Sequence, residues 1–184
     1  MNNERRILVT GASGYVGPRL VRQILNEPDL DNPVSVRIFV RDKGKVASQP
    51  WISQVEVATG NANNFEETCV ALRGIHTAFY LLHSIGVGKH FDDIEAAMAE
   101  NFAKAAAQEG VKQIVYLGGI ANDKRHSKHL ASRARTGEIL ANGKVPVLEL
   151  RAGIIIGSGS ASFEMLRHLT HRLPVMTTPK WISN

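Results

Sequence analysis

The chain has a single cysteine, Cys69, so it forms no internal disulfide, and a lone thiol suits a reducing compartment. Cys69 falls in an apolar helical stretch, where a buried structural thiol is expected rather than a nucleophile. No apolar run approaches the length of a membrane span. Met1-Asn2-Asn3-Glu4-Arg5-Arg6 leads straight into the first apolar run, which leaves no room for a signal peptide. A cytoplasmic protein with no membrane partner is therefore expected. The basic residues are scattered, with no basic run interleaved with aromatics, so no nucleic-acid partner is expected either. Internal repeats, linkers and low-complexity segments are also missing. What remains is ordinary: 184 residues, 43% hydrophobic and 21% charged, enough for a globular domain with a substantial core. The net charge of +5 suits an anionic ligand.

Against that background one stretch stands out, Val9-Thr10-Gly11-Ala12-Ser13-Gly14-Tyr15-Val16-Gly17. It follows the apolar run Ile7-Leu8-Val9 and leads into Leu20 to Leu25, whose apolar residues recur at helical spacing. The pattern is strand, glycine turn, helix. Gly11 takes the tight turn, Gly14 lets a pyrophosphate approach the backbone, and Gly17 lets the helix pack close to the sheet. N–H groups at the helix start, backed by the positive end of the dipole, then face phosphates. The spacing is G-x-x-G-x-x-G rather than G-x-G-x-x-G, and a glycine-rich turn that binds nothing is the alternative reading.

The rest of the chain alternates strands and helices. Strands are predicted at 5–10, 34–40, 55–58, 77–82, 113–117 and 147–151, and helices at 15–26, 64–72, 92–108, 127–142 and 160–171. Alternation of this kind predicts an α/β fold with a doubly wound parallel sheet, the Rossmann fold, in strand order 3-2-1-4-5-6. Ligand then sits at the carboxyl ends of the strands, where the order reverses between the first and the fourth. Residues 1–157 form the dinucleotide-binding domain on this reading, with 158–184 a short remnant of a substrate-binding portion.

The loops at those ends supply the candidate cofactor residues. The first gives Gly11, Ser13, Gly14, Tyr15, Val16 and Gly17; the third gives Asn61 and Ala62; the fourth gives Leu82, His83 and Ser84, whose backbone passes beneath the ribose and pyrophosphate while the His83 side chain reads as packed or solvent-facing; the fifth gives Gly118. The second decides between NADP and NAD. Arg41, with Lys43 and Lys45 behind it, can pair a 2′-phosphate through two hydrogen bonds, which favours NADP. Asp42 keeps NAD open as a carboxylate for the ribose hydroxyls, and a solvated basic loop is the bland reading. Asn61 suits the adenine amino group or a surface turn.

TGASGYVG, VRD after the second strand, ENFAKAAAQEGVKQIVYLGG and LRAGIIIGSGSASFEML together resemble the short-chain dehydrogenase/reductase superfamily. The resemblance is to its extended and atypical branches, the nucleoside-diphosphate-sugar epimerase-like and NmrA-like NAD(P)H-binding proteins. It spans nearly the whole chain and implies a Rossmann fold, NAD(P), and an oxidoreductase or epimerase-like activity. It also implies a homodimer through the fourth and fifth helices of that family. Active members carry a catalytic Tyr, a Lys four residues later, and a Ser or Thr at the end of the fifth strand. This chain departs at each place. Gly118-Gly119 occupies the strand end, and the best helical register puts His129 and Arg133 where Tyr and Lys belong, with Ser132 between them. His129 can exchange protons near neutral pH, with a surface or structural histidine as the favoured alternative, and Arg133 can hold ribose or phosphate but does not readily give up a proton. Tyr80 and Tyr116 lie inside predicted strands and cannot substitute. Asn101 stands where the superfamily often has Asn shaping the site, or is a plain polar helix residue.

Asp123, His126 and His129 have metal-compatible spacing without a fourth ligand, as do His168 and His171, so no metal is expected. Ser84 and Ser162 are the candidate substrate contacts, with a helix N-cap run as the alternative for Ser162. Extended relatives continue past the sixth strand, whereas this chain stops soon after its last helix, leaving Trp181 without the elements that usually cover such a residue. A shortened product and a minimal cofactor-binding domain are both open. The leading functional reading is an NAD(P)-binding atypical oxidoreductase or epimerase-like protein. The rival is a non-catalytic NAD(P) sensor or scaffold, favoured by the missing Tyr, Lys and Ser.

Overall fold

A computed structural model describes residues 5–27, 33–83, 91–120, 128–153 and 155–172. The strands are β1 (Arg5–Thr10), β2 (Val34–Val40), β3 (Glu56–Thr59), β4 (Thr77–Tyr80), β5 (Gln113–Gly119) and β6 (Val147–Ala152). The helices are α1 (Val16–Asn26), α2 (Phe65–Leu72), α3 (Phe91–Gln108), α4 (Lys128–Ala141) and α5 (Ala161–Arg172). One six-stranded sheet has the order β3-β2-β1-β4-β5-β6, the order read from the sequence. The pairs β1–β2, β1–β4, β2–β3 and β4–β5 are parallel. The chain divides into two compact units, Met1–Arg151 and Ala152–Asn184.

Period-two burial explains why strands with little polar surface form here. In β1, Leu8 joins a cluster with α2, α3 and α4 residues, while its neighbour Val9 joins one with Val21 of α1. Both are fully buried, so helices cover both faces. The alanines of α3, such as Ala99, Ala105 and Ala106, are buried and bring that helix, with its own Phe102, close to Tyr80 and Ile114 in the first cluster. Cys69 is buried there as well, and its thiol lies 3.6 Å from Gln108 Nε2. Burial, and after it the carboxylates of Glu109 and Glu66, push that thiol above its ordinary range. The result is the structural cysteine expected.

Most boundaries shift by one residue from the sequence reading, and β5 runs two residues further, through Gly118 to Gly119. β4 ends at Tyr80 rather than Leu82, because the Leu81 N–H donates to Thr10 Oγ1 instead of to a strand neighbour. β3 begins and ends one residue later, with Thr59 in register with Val40. Asn64 caps α2 as expected, accepting from the Glu67 N–H at 3.2 Å. Gly110, with φ of +73°, follows α3, a conformation a side chain would resist.

Candidate functional site

Three glycines shape the turn after β1, and the turn is anchored by a residue the sequence reading passed over. Thr10 is fully buried; its hydroxyl donates to Phe79 O at 3.0 Å and accepts from Leu81 N at 2.8 Å. It pins the ends of β1 and β4 together at the point where the strand order reverses. Gly11 has φ of +67°, and a Cβ there would stand 2.7 Å from Leu81 O, so both conformation and space require glycine. The Gly14 N–H donates to Gly11 O at 2.9 Å, and its side-chain position is tight only against that oxygen, at 3.2 Å. At Gly17 a Cβ would be 2.3 Å from Gly11 O and 2.8 Å from Ala12 Cα. The close approach it permits is thus between helix and turn, not the helix-to-sheet packing expected.

The start of α1 is rich in donors. Tyr15 precedes the helix with φ of −83° and ψ of −47° and makes no side-chain capping bond. Pro18 has no N–H, so the N–H groups without an intrahelical acceptor are those of Tyr15, Val16 and Gly17. Arg19 adds positive charge at the same end: its guanidinium lies 3.8 Å over the Tyr15 ring, and Nη1 donates to Tyr15 O at 2.8 Å. The sequence signal for it was the four-residue spacing from Tyr15. Ser13 is exposed on the turn.

Arg41 follows β2 directly and is exposed. The neighbouring Asp42 carboxylate accepts from Gly44 N at 2.8 Å and caps a 3-10 turn over Lys43–Val46. Asn61 Oδ1 accepts from Asn63 N at 3.1 Å, and Asn61 N donates to Glu67 Oε2 at 2.6 Å, so its carboxamide serves a turn. Ala62 is buried beneath that turn. Asn101 of α3 donates from Nδ2 to Asn63 O at 2.8 Å and ties the loop after β3 to α3.

On the far side of the reversal point, Leu82 packs against the core and His83 stands beside α3. Ser84 lies outside the described residues, as do Asp123, His126 and Trp181. Gly118 is occupied on its side-chain face by another residue. A Cβ there would be 2.5 Å from Glu149 Oε1, which also lies 3.1 Å from the Cβ position of Gly137. Arg151 holds the Glu149 carboxylate at 2.9 Å. His129 is exposed and stacked on Phe91, with ring centroids 4.7 Å apart. Arg133 donates from Nη2 to Leu117 O at 2.8 Å, and its own carbonyl accepts from the Tyr116 hydroxyl at 2.8 Å. Its guanidinium closes the carbonyl end of β5. Burial pushes the Tyr80 and Tyr116 phenols further above their ordinary value, and both lie within strands, as the sequence implied. Among the described residues no three His, Cys, Asp or Glu side chains form a metal-binding cluster. Also among them, no helix is long and apolar enough to cross a membrane. Ser162 lies in the first turn of α5, in the second unit, where Ser160 Oγ donates to Ile155 O at 2.7 Å.

The comparisons with known proteins agree with this architecture. A 3-beta-hydroxysteroid dehydrogenase of Mycolicibacterium neoaurum is 29% identical over 121 residues, covering 60% of this chain and 31% of that protein. The triphenylmethane reductase of Citrobacter sp., solved with NADP(H), superposes with a TM-score of 0.69 at 23% identity, covering 90% of this chain and 55% of that one. The Bordetella bronchiseptica enzyme WbmG, solved with NAD, gives 0.67 at 16% identity over 90% of this chain and 60% of its own. The chain thus spans about a third of the curated relative and little more than half of the solved ones. The model of the NmrA-like family matches residues 3–135, and the chain belongs to that family.

Proposed function

We infer that this chain binds a nicotinamide dinucleotide across the carboxyl end of its sheet and serves an NADP(H)-dependent oxidoreductase or epimerase-like reaction. One observation carries the reading: the turn at the β1–β4 reversal leaves the N–H groups of Tyr15, Val16 and Gly17 at the positive end of α1. Those donors, the bare Gly14 and the nearby Arg19 charge suit a diphosphate. The NADP(H) and NAD held by the two solved neighbours support the same class of ligand. Arg41 stands where a 2′-phosphate is read in this fold, while the Asp42 carboxylate is engaged by its own loop, which favours NADP over NAD. When bound, the nicotinamide supplies or accepts a hydride. The chain's own residues bind, orient and exclude water.

Thermal unfolding with NADP, NADPH, NAD and NADH tests this directly. A nucleotide at a hundred times its Kd adds about 2.7 kcal/mol by mass action. NADPH and NADP should raise the melting temperature more than NADH and NAD, and no rise with any of the four would defeat the reading. A second reading, an NAD(P) sensor without chemistry, is favoured by one observation. The two residues at the expected catalytic places have other work, His129 against Phe91 and Arg133 on Leu117 O. Nucleotide binding without turnover over a broad carbonyl and sugar-nucleotide panel would support it. A homodimer goes with either reading and is measured by light scattering.

A further inference from the structure

Side chains from three elements meet beside the reversal point of the sheet. His83 follows β4 and is 31% exposed; its Nδ1 lies 3.5 Å from Glu95 Oε1. The other oxygen of that carboxylate accepts a short hydrogen bond from Ser132 Oγ of α4. Glu95 is 6% exposed and Ser132 4%. A buried carboxylate is costly unless hydrogen bonds hold it. The face of α3 on which Glu95 sits is otherwise filled by Ala99 and Phe102, so packing alone does not call for an acid there. Among the described residues, the Tyr80 phenol from β4 and the Tyr116 phenol from β5 also lie within the field of the carboxylate, and the Arg133 guanidinium of α4 is turned to Leu117 O. His129, one helical turn away on Phe91, is part of a separate ring contact.

We propose that Glu95 is a positioning residue for His83: it holds a proton on Nδ1, so that Nε2 becomes the proton-exchanging atom beside the reversal point of the sheet. This deepens the functional reading above and rests on it. Which ring nitrogen of a histidine carries the proton is set by the partner of the other. Here Glu95 faces Nδ1, and Nε2 is the nitrogen turned away from it. With a substrate hydroxyl at Nε2, the O–H bond breaks with its electron pair left on oxygen, and the Nε2 lone pair forms the new N–H bond. The imidazolium so formed is held against the Glu95 carboxylate through Nδ1–H and later returns its Nε2 proton to water. In the opposite direction the same Nε2 proton goes to the substrate oxygen. His83 thereby takes the role that spacing on α4 had offered to His129.

The test is long-range proton–nitrogen NMR on the full chain, labelled at histidine, at a pH where the rings are neutral, with His83 assigned from a His83→Gln sample. His83 should carry its proton on Nδ1, and Glu95→Leu should change the Nδ1–H to Nε2–H ratio at least tenfold in favour of Nε2–H. An Nε2–H ring in the unaltered chain overturns the proposal, even if Glu95→Leu fails to fold, and so does an unchanged ratio in a folded Glu95→Leu. In a second arm, saturating NADPH should shift the His83 ring signals while those of His76, at the opposite end of β4, stay in place. NADPH that stabilises the chain without moving His83 overturns the proposal. A chain stabilised by no nicotinamide nucleotide overturns the functional reading instead, and the tautomer result still stands or falls by itself.

Discussion

At the scale of single residues, the three glycines of the turn separate folding from binding. A methyl at Gly17 meets backbone on two sides, with Gly11 O at 2.3 Å, and neither can give way without moving the turn. Gly17→Ala should cost roughly 1–3 kcal/mol by overpacking and also remove nucleotide binding. A methyl at Gly14 meets only Gly11 O at 3.2 Å, so Gly14→Ala should cost much less stability than Gly17→Ala. It should nonetheless lose most of the NADPH-induced rise in melting temperature, because the methyl stands where the diphosphate must approach. Chemical denaturation with and without NADPH reads both. Equal losses of stability in the two variants would mean that the glycines serve the fold alone. Arg41 gives a selectivity prediction of the same kind. Arg41→Ser should weaken NADPH at least tenfold and leave NADH within about twofold, as the loss of a bidentate phosphate contact requires. Fluorescence titration with both nucleotides checks it.

At the scale of elements, α2 is a short helix held at both ends by polar contacts, and those contacts mark where sequence reading succeeded and where it stopped. Asn64 was legible as a cap, since an Asn before a turn holding two glutamates leaves few other readings. Its Oδ1 accepts from Glu67 N, and Glu67 returns a carboxylate oxygen to Asn61 N. Asn64→Ala should cost about 1 kcal/mol in urea unfolding. The other end was not legible. Arg37 is buried in β2, donates from Nη1 to Ala71 O at 2.8 Å and Arg73 O at 2.9 Å, and lies 2.9 Å from Glu56. In the sequence it reads as one polar residue within an apolar strand. Its partners come from the end of α2 and from β3, which no local pattern reveals. Arg37→Leu should cost about 1.5–3 kcal/mol, because buried carbonyls lose a charged donor. The site divides in the same way. The glycine turn and the strand order could be read because local spacing and alternation carry them. Thr10 and Glu95 could not, since a Thr beside a glycine and a Glu among helix acids look like ordinary surface chemistry until tertiary structure buries them. His129 and Arg133 were placed correctly on one helix, yet the identity of the groups facing each depends on Phe91 and Leu117 from other elements.

At the scale of the whole molecule, the two tyrosines sealed in the first core cluster make stability depend on alkaline pH. Both Tyr80 and Tyr116 have acidities suppressed chiefly by burial, with Arg133 opposing the effect at Tyr116 alone. In the unfolded chain each phenol ionises near its ordinary value of about 10. Below that pH both states keep the protons, so these groups add no slope. Above it the unfolded chain has released protons that the folded chain retains, and unfolding is favoured by about 1.4 kcal/mol per pH unit for each phenol. The stability these tyrosines contribute is therefore complete below about pH 10 and is lost as pH climbs toward their folded values. The Cys69 thiol adds a similar loss from a lower starting point, its ordinary value being 9.0. Urea midpoints measured between pH 8 and pH 11 should be flat at first and then fall steeply. Tyr80→Phe keeps the ring that packs edge-on against Phe102 at 4.9 Å and removes only the ionisable group, so the fall should become about one phenol shallower. An unchanged slope in Tyr80→Phe would mean that the Tyr80 phenol is already ionised, or already wet, in the folded core.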